Sequence, residues 1–377
     1  MNEKISIGII IDSLENYQVE AWALFLKDAL KKELSTIFPK FDWNFFLIKR
    51  HDFPKGVPKD PLNLLEFGAE IKIENNYDFT IILTGHPLKA RFEQGINAVP
   101  SAMLESAVIT TSKITELSDE NIQKESVISL VKHILGHLWG LDHNDKSVMK
   151  PRKSWKLEKA LDWNDEEKKS IFYFLKDVAD PRVEETSTTK NRLIFFIQVF
   201  LTNWKTIIKD IVFFRSWRMV LNLGRFTAAT AVSIIFLFLS AEAWEMGAAI
   251  QSSWLDAILF GVILLATLSL YFGQNLQGIG KSDKMMEQAV RCRIILFGTL
   301  FIGMASFWIN LLGISFVIIH LLPKQVIAGW TGLSGGSIPI FHFSKLMATF
   351  GVLASSVGGN LEEEQDIKAV LIYTEET

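Results

Sequence analysis

Between residues 222 and 357 the chain carries run after run with almost no charge, and nothing else restricts its folding as much. Residues 222–241 and 254–273 each have the length of about 20 residues that a bilayer core requires. The run 294–322 is longer, and 338–357 is weaker because His342 and Lys345 fall inside it. A backbone in hydrocarbon must satisfy every N–H and C=O internally, which a helix does within a single segment. An all-α transmembrane region of about four helices is therefore expected over 226–357. The 49% of hydrophobic residues is unevenly spread, since the first half has the composition of an ordinary soluble protein.

The stretch leading into these runs differs. From Leu193 to Phe214 it is apolar and aromatic, but Lys205, Lys209 and Asp210 interrupt it. One charge near a bilayer centre costs about 2.5–3.5 kcal/mol. Region 193–225 is thus expected as an amphipathic helix on the membrane surface, continued by Arg215, Arg218 and Arg225. The connection 274–293 holds Lys281, Lys284, Arg291 and Arg293, whereas 242–253 holds Glu242 and Glu245 but no Lys or Arg. That bias places 215–225 and 274–293 on the cytoplasmic side of the cell membrane. Four crossings return the acidic tail, 358–377, to that side. The N-terminal apolar run is only about six residues and closes on Asp12 and Glu15, unlike a secretory signal. The first half is therefore expected in the cytosol.

Period-2 and helical patterns alternate through that half. Strands are expected at 5–11, 42–48, 78–84 and 107–112, and helices at 17–38, 62–73, 119–141 and 165–178. Residues 86–104 read as loop, and Asn164 as a helix cap. A β-α-β-α-β-β order suits an α/β domain over 1–180. Pro181 to Lys190, with Glu184, Glu185 and four Ser/Thr, suggests a linker at 181–192. A net charge of −3 offers no electrostatic case for nucleic acid. The single cysteine, Cys292, excludes an internal disulfide and suits a reducing compartment.

Within the first half stands His133-Ile-Leu-Gly-His137-Leu-Trp-Gly140-Leu-Asp-His143, followed by Ser147-Val-Met149-Lys-Pro151. Histidines four apart share a helix face, so both rings can reach one ion. Gly140 can take the positive φ that ends the helix, and His143 then arrives as a third nitrogen donor. Three protein ligands with a fourth place for water is the count of a catalytic zinc site.

The spacing H-x-x-x-H-x-x-G-x-x-H, with a methionine soon after, resembles the metzincin zinc peptidases, whose motif is H-E-x-x-H-x-x-G-x-x-H plus a Met-turn. Gly-Leu-Asp-His and Ser-Val-Met-x-Pro look matrixin-like, and the strand-rich lead-in is similar to archaemetzincins. The resemblance covers roughly residues 78 to 180. It implies zinc (Zn2+) held by His133, His137 and His143, a turn at Gly140, and Met149 as the apolar floor beneath the metal. It also implies that strand 107–112 is an edge on which an extended peptide or protein segment could pair, while the residues by themselves equally suit an ordinary strand inside the sheet.

One departure changes the chemistry. Where the family has its glutamate this chain has Ile134, which can neither take a proton from a zinc-bound water nor pass it on. Zinc alone brings bound water to a pKa of about 7, yet loss of a positioned base costs about 10² to 10⁴ in rate. Asp142, Glu105 and Glu116 are the candidate surrogate bases. The cysteines that archaemetzincins carry just after the third histidine are also missing. The chain therefore reads as a membrane-anchored, metzincin-like zinc protein with weak or no peptidase activity, binding a peptide or using zinc structurally. An active peptidase with a surrogate base, and a transporter or channel with a regulatory zinc domain, are the alternatives.

Overall fold

The computed structural model describes residues 3–376 apart from 15–16, 92, 94, 115–118, 152–161, 181–191, 214–223, 280–285, 332–338 and 360–362. The chain divides into two compact units. One comprises Met1–Leu201, Gly280–Cys292 and Ile372–Thr377, and the other Thr202–Ile279 and Arg293–Leu371. The expected linker 181–192 lies outside the described residues up to 191, as do Arg215, Arg218, Lys281 and Lys284.

The first unit is built on a five-stranded sheet in the order β2-β1-β3-β5-β4. Its strands are β1 (Glu3–Asp12), β2 (Phe41–Arg50), β3 (Phe79–Thr84), β4 (Ala98–Ser101) and β5 (Ser106–Thr110). All pairings are parallel except β4 against β5. β3 and β5 are buried along their whole length, as strands of a parallel sheet covered on both faces must be. Alternate residues Ile5, Ile7, Ile9 and Ile11 face one core with Trp43, Phe79 and Ile81. Helices α1 (Tyr17–Ile37), α3 (Glu120–Leu138) and α4 (Asp165–Ala179) contribute Leu26, Leu30, Leu135 and Leu175 to that core. Helix α2 (Pro61–Asn75) packs on β3 and β5.

Two differences from the sequence reading concern the sheet edge. The segment 86–104, expected as loop, contains β4. Strand 107–112, expected as the edge, is β5 and lies inside the sheet between β3 and β4. β4 is illegible in the sequence because it is four residues long, includes Pro100 and is buried throughout, so it shows no alternation.

The described helices of the remaining chain are α5 (Arg192–Phe213), α6 (Gly224–Leu239), α7 (Ala241–Ala249), α8 (Ser252–Gly273), α9 (Met286–Leu321), α10 (Lys324–Thr331), α11 (Ile340–Gly359) and α12 (Glu364–Ile372). Among the described residues, three stretches are long and apolar enough to cross a membrane: Ser252–Gly273, Glu287–Leu321 and Ile340–Val357. The first expected run, 222–241, falls on a bent pair, Thr227–Leu239 with Ala241–Ala249, turned by 78°. At that bend the buried indole N–H of Trp244 donates to the Phe238 carbonyl at 3.1 Å, which satisfies a group released by the break. Trp244 also packs against Phe343 of α11 and Trp330 of α10. Lys345, the charge that weakened the last run, pairs with Asp256 of α8. α5 exposes Phe196, Phe200, Leu201, Trp204 and Ile208.

The first turn of α4 ties two parts of the first unit together. Asn164 and Glu167 form a capping box: the Asn164 side chain accepts from the Glu167 N–H and the Glu167 carboxylate from the Asn164 N–H. The other Glu167 oxygen accepts from Asn144 Nδ2 at 2.8 Å and from the buried Ser147 hydroxyl at 2.7 Å. One carboxylate thus fixes both the helix and the loop that carries Met149. Glu167→Ala is expected to lower stability by about 2–3 kcal/mol, because Ser147 keeps a buried hydroxyl without its acceptor. A urea midpoint unchanged from the parent chain would contradict this.

Candidate metal centre

α3 begins at Asp119, whose carboxylate accepts from the N–H groups of Asn121 and Ile122. It lays Val127, Leu130, Val131, Ile134, Leu135 and Leu138 into the core. His133 and His137 follow one turn apart and face away from that packing toward one point. The helix stops at Gly140, whose φ of +78° suits a residue without a side chain. Around it the Leu141 N–H donates to the Gly136 carbonyl at 2.9 Å and the Gly140 N–H to the His137 carbonyl at 3.1 Å, a Schellman closure. The reversed chain delivers His143.

The Nε2 atoms now converge. His137 Nε2 is 3.1 Å from His133 Nε2 and 3.2 Å from His143 Nε2. The opposite nitrogens are occupied: His133 Nδ1 lies 2.8 Å from the Val148 carbonyl, and His137 Nδ1 2.9 Å from the Leu141 carbonyl. A carbonyl only accepts, so Nδ1 carries the proton in both rings and Nε2 presents a lone pair. Burial pushes the His137 ring down to about 4, which keeps it neutral at neutral pH. Lone pairs this close repel one another unless a cation sits among them. The donor set therefore fits a metal ion.

Met149 is fully buried and lies against α3 between the two ligand turns. A Cβ on Gly136 would come within 2.3 Å of its sulfur, so the helix needs a glycine there to admit it. Val148, which fixes His133, belongs to the loop held by Glu167 through Ser147. Gly136 and Glu167 do not stand out in the sequence reading, although the capping-box spacing of Asn164 and Glu167 is there to read.

A fourth group completes the cluster. The Glu376 carboxylate lies 3.5 Å from His133 Nε2, 3.4 Å from His137 Nε2 and 3.3 Å from His143 Nε2. Among the described residues, His133, His137, His143 and Glu376 are the one group of histidine, cysteine or acidic side chains arranged to hold a metal ion, with all four donor atoms within 4.8 Å. Burial pushes the Glu376 carboxyl up, and positive charge on or among the histidines beside it would hold it below the usual carboxylate range. Its Oε1 is buried and accepts no hydrogen bond, an orphan that a cation would satisfy.

The other acidic candidates lie elsewhere. Glu105 pairs with the buried Lys72 at 2.7 Å and accepts from Gln288, and it is not part of the histidine cluster. Asp142 is exposed and does not join the cluster either, while Glu116 lies outside the described residues. Glu376 escapes the sequence reading because 233 positions separate it from His143 and no local spacing links them.

No protein-family model matches the chain, and no curated protein matches it. Solved structures similar to it include the archaemetzincin of Methanopyrus kandleri, 18% identical, covering 46% of this chain and 97% of that one with a TM-score of 0.34. The archaemetzincin of Archaeoglobus fulgidus, complexed with malonate, is 18% identical over 44% of this chain and 99% of its own, with a TM-score of 0.32. A zinc-dependent peptidase from Methanocorpusculum labreanum is 18% identical over 44% of this chain and 92% of its own, with a TM-score of 0.29.

Proposed function

We propose that this chain is a membrane-anchored, zinc-binding protein on a metzincin-like peptidase scaffold that lacks the general base of peptide hydrolysis. The observation that carries this reading is the convergence of three imidazole Nε2 atoms and one carboxylate on a single point, with both helix-borne rings fixed through Nδ1. His133, His137 and His143 would hold the ion. Bound zinc supplies Lewis acidity and lowers the pKa of a water in an open coordination place.

Ile134, one residue after His133, is completely buried in the apolar core. An aliphatic side chain there offers no proton acceptor. Glu376 lies within 3.5 Å of all three ligand nitrogens, where a fourth ligand belongs. Three histidines and a carboxylate make a closed tetrahedral set, and closed sets hold structure together. The helices Ser252–Gly273, Glu287–Leu321 and Ile340–Val357 would anchor the protein in a bilayer. The Lys/Arg bias of 215–225 and 274–293 supports a cytoplasmic zinc-binding unit.

Elemental analysis of the purified full chain should find about one zinc per molecule, and His137→Ala should lose it. Absence of metal from both proteins would refute the centre. Peptide hydrolysis by the full chain that disappears with His137→Ala would instead establish an active enzyme and overturn the degenerate reading. Ile134→Glu combined with Glu376→Ala returns a carboxylate to the position where the resembled motif carries its base and opens the fourth place. This pair should cleave peptides about 10² to 10⁴ times faster than Glu376→Ala alone. Equal rates in two folded, zinc-loaded proteins would show that the missing base is not what limits the chemistry.

A further inference from the structure

Residues after α12 run along the outer edge of β4. Ser101 Oγ donates to the Ile372 carbonyl at 2.7 Å, and the Thr374 N–H donates to the Pro100 carbonyl at 3.3 Å. The Glu376 N–H donates to the Ala98 carbonyl at 2.9 Å, while its own carbonyl accepts from the N–H groups of Asn97 at 2.8 Å and Ala98 at 3.2 Å. This is antiparallel pairing, with Ala98 opposite Glu376. In extended chain, successive side chains point to opposite sides. Glu376 accordingly turns to the histidines, and Glu375 turns away to the 91–93 segment. There its two carboxylate oxygens accept from the N–H groups of Arg91 and Glu93, each at 2.7 Å. Arg91 is itself held by Asp60, the N-cap of α2, at 2.8 Å.

Two adjacent acids at the chain end are therefore both buried, 8% and 5% exposed, although acidic side chains are seldom buried without specific partners. Each has its own: a pair of amides for one, the histidine cluster for the other. We propose that the outer edge of β4, the amides of Arg91 and Glu93 and the metal position form one groove for an extended acidic segment, and that Tyr373–Glu376 is its resident, displaceable occupant. The tail acts as an internal stopper. It adds a strand, as peptides do when they extend a sheet edge, and its carboxylate closes the fourth place on the ion. A segment that enters in its stead has to be extended and to offer one carboxylate to the amides and the next to the metal. This proposal rests on the zinc-binding reading.

The test compares the full chain, a chain ending at Ile372 and full-length Glu376→Gln, each loaded with cobalt(II) as a spectroscopic substitute for zinc. A fluorescent peptide of residues 371–377 is the probe. The shortened chain should bind the peptide and on doing so recover the cobalt absorption of the full chain. A tail tethered in cis competes at an effective concentration of the order of mM, so the full chain should bind the same peptide roughly 100-fold more weakly. Glu376→Gln, which keeps the whole chain, should show an altered cobalt spectrum and admit the peptide more readily than the parent. Identical cobalt spectra in all three proteins, or equal peptide binding by long and short chains, would overturn the stopper while leaving the metal centre standing. Failure of every protein to take up cobalt would remove the centre and the stopper together.

Discussion

The arrangement on which this molecule turns is a crowded one: three imidazole Nε2 atoms held 3.1–3.2 Å from their neighbours, with His133 and His137 turning lone pairs to each other. Nothing in the rings themselves favours that. It is imposed by α3, packed into the sheet by Val127, Leu130, Val131 and Leu135, and by backbone carbonyls that claim the far nitrogen of His133 and His137. Those carbonyls are placed in turn by a glycine-terminated helix end and by a loop tied through Ser147 to Glu167. Each support is a buried, directional contact, so the cluster is preorganised for a cation before one arrives.

Much of this is legible in the sequence, for definite reasons. β1 can be read because Ile5 to Ile11 is a nearly continuous apolar run, the pattern of a strand covered on both faces. α3 and the histidine spacing can be read because a 3.6-residue period survives in any linear text. What cannot be read depends on partners far along the chain. The family resemblance puts the sheet edge at 107–112, against the reading of an ordinary inner strand; 98–101 has no alternation of its own, and its edge position follows only from pairing with β5. The run 222–241 looks like one continuous crossing, since composition does not report the 78° bend after Leu239 or the Trp244 indole that stabilises it. Residues 367–373 are open to a strand reading, yet they are helical to Ile372 and the pairing begins just beyond. Glu364 and Asp366 in the first turn, with Ile367 and Leu371 four apart, are helix signals that the short apolar stretch obscures.

On the proposed reading, Ile134 and Glu376 bear on the same coordination place from opposite directions. A general base in a zinc peptidase must approach a water on the ion without binding the ion itself. Ile134 removes the first function, and Glu376 supplies the second without the first, because it reaches all three ligand nitrogens at 3.3–3.5 Å. A water place that is filled by protein has no use for a base beside it. The two departures are therefore mutually consistent, and neither alone would define the site as closed.

The energetics of the tail explain why the ion matters to it. Fixing the backbone of four residues costs about 1–2 kcal/mol each. The four backbone hydrogen bonds to 97–100 return about 0.5–1.5 kcal/mol apiece, and the two amide bonds to the Glu375 carboxylate about 1.5–3 kcal/mol apiece. These contributions roughly offset the ordering. Against them stands the burial of the Glu376 carboxylate, a penalty of several kcal/mol unless a counter-charge is present. A bound cation would supply that counter-charge. On the zinc-binding reading, docking of the tail and occupancy of the centre would be coupled: the ion would hold Tyr373–Glu376 in the groove, and the docked carboxylate would hold the ion. By reciprocity, whatever draws the tail away weakens the ion's hold by the same factor.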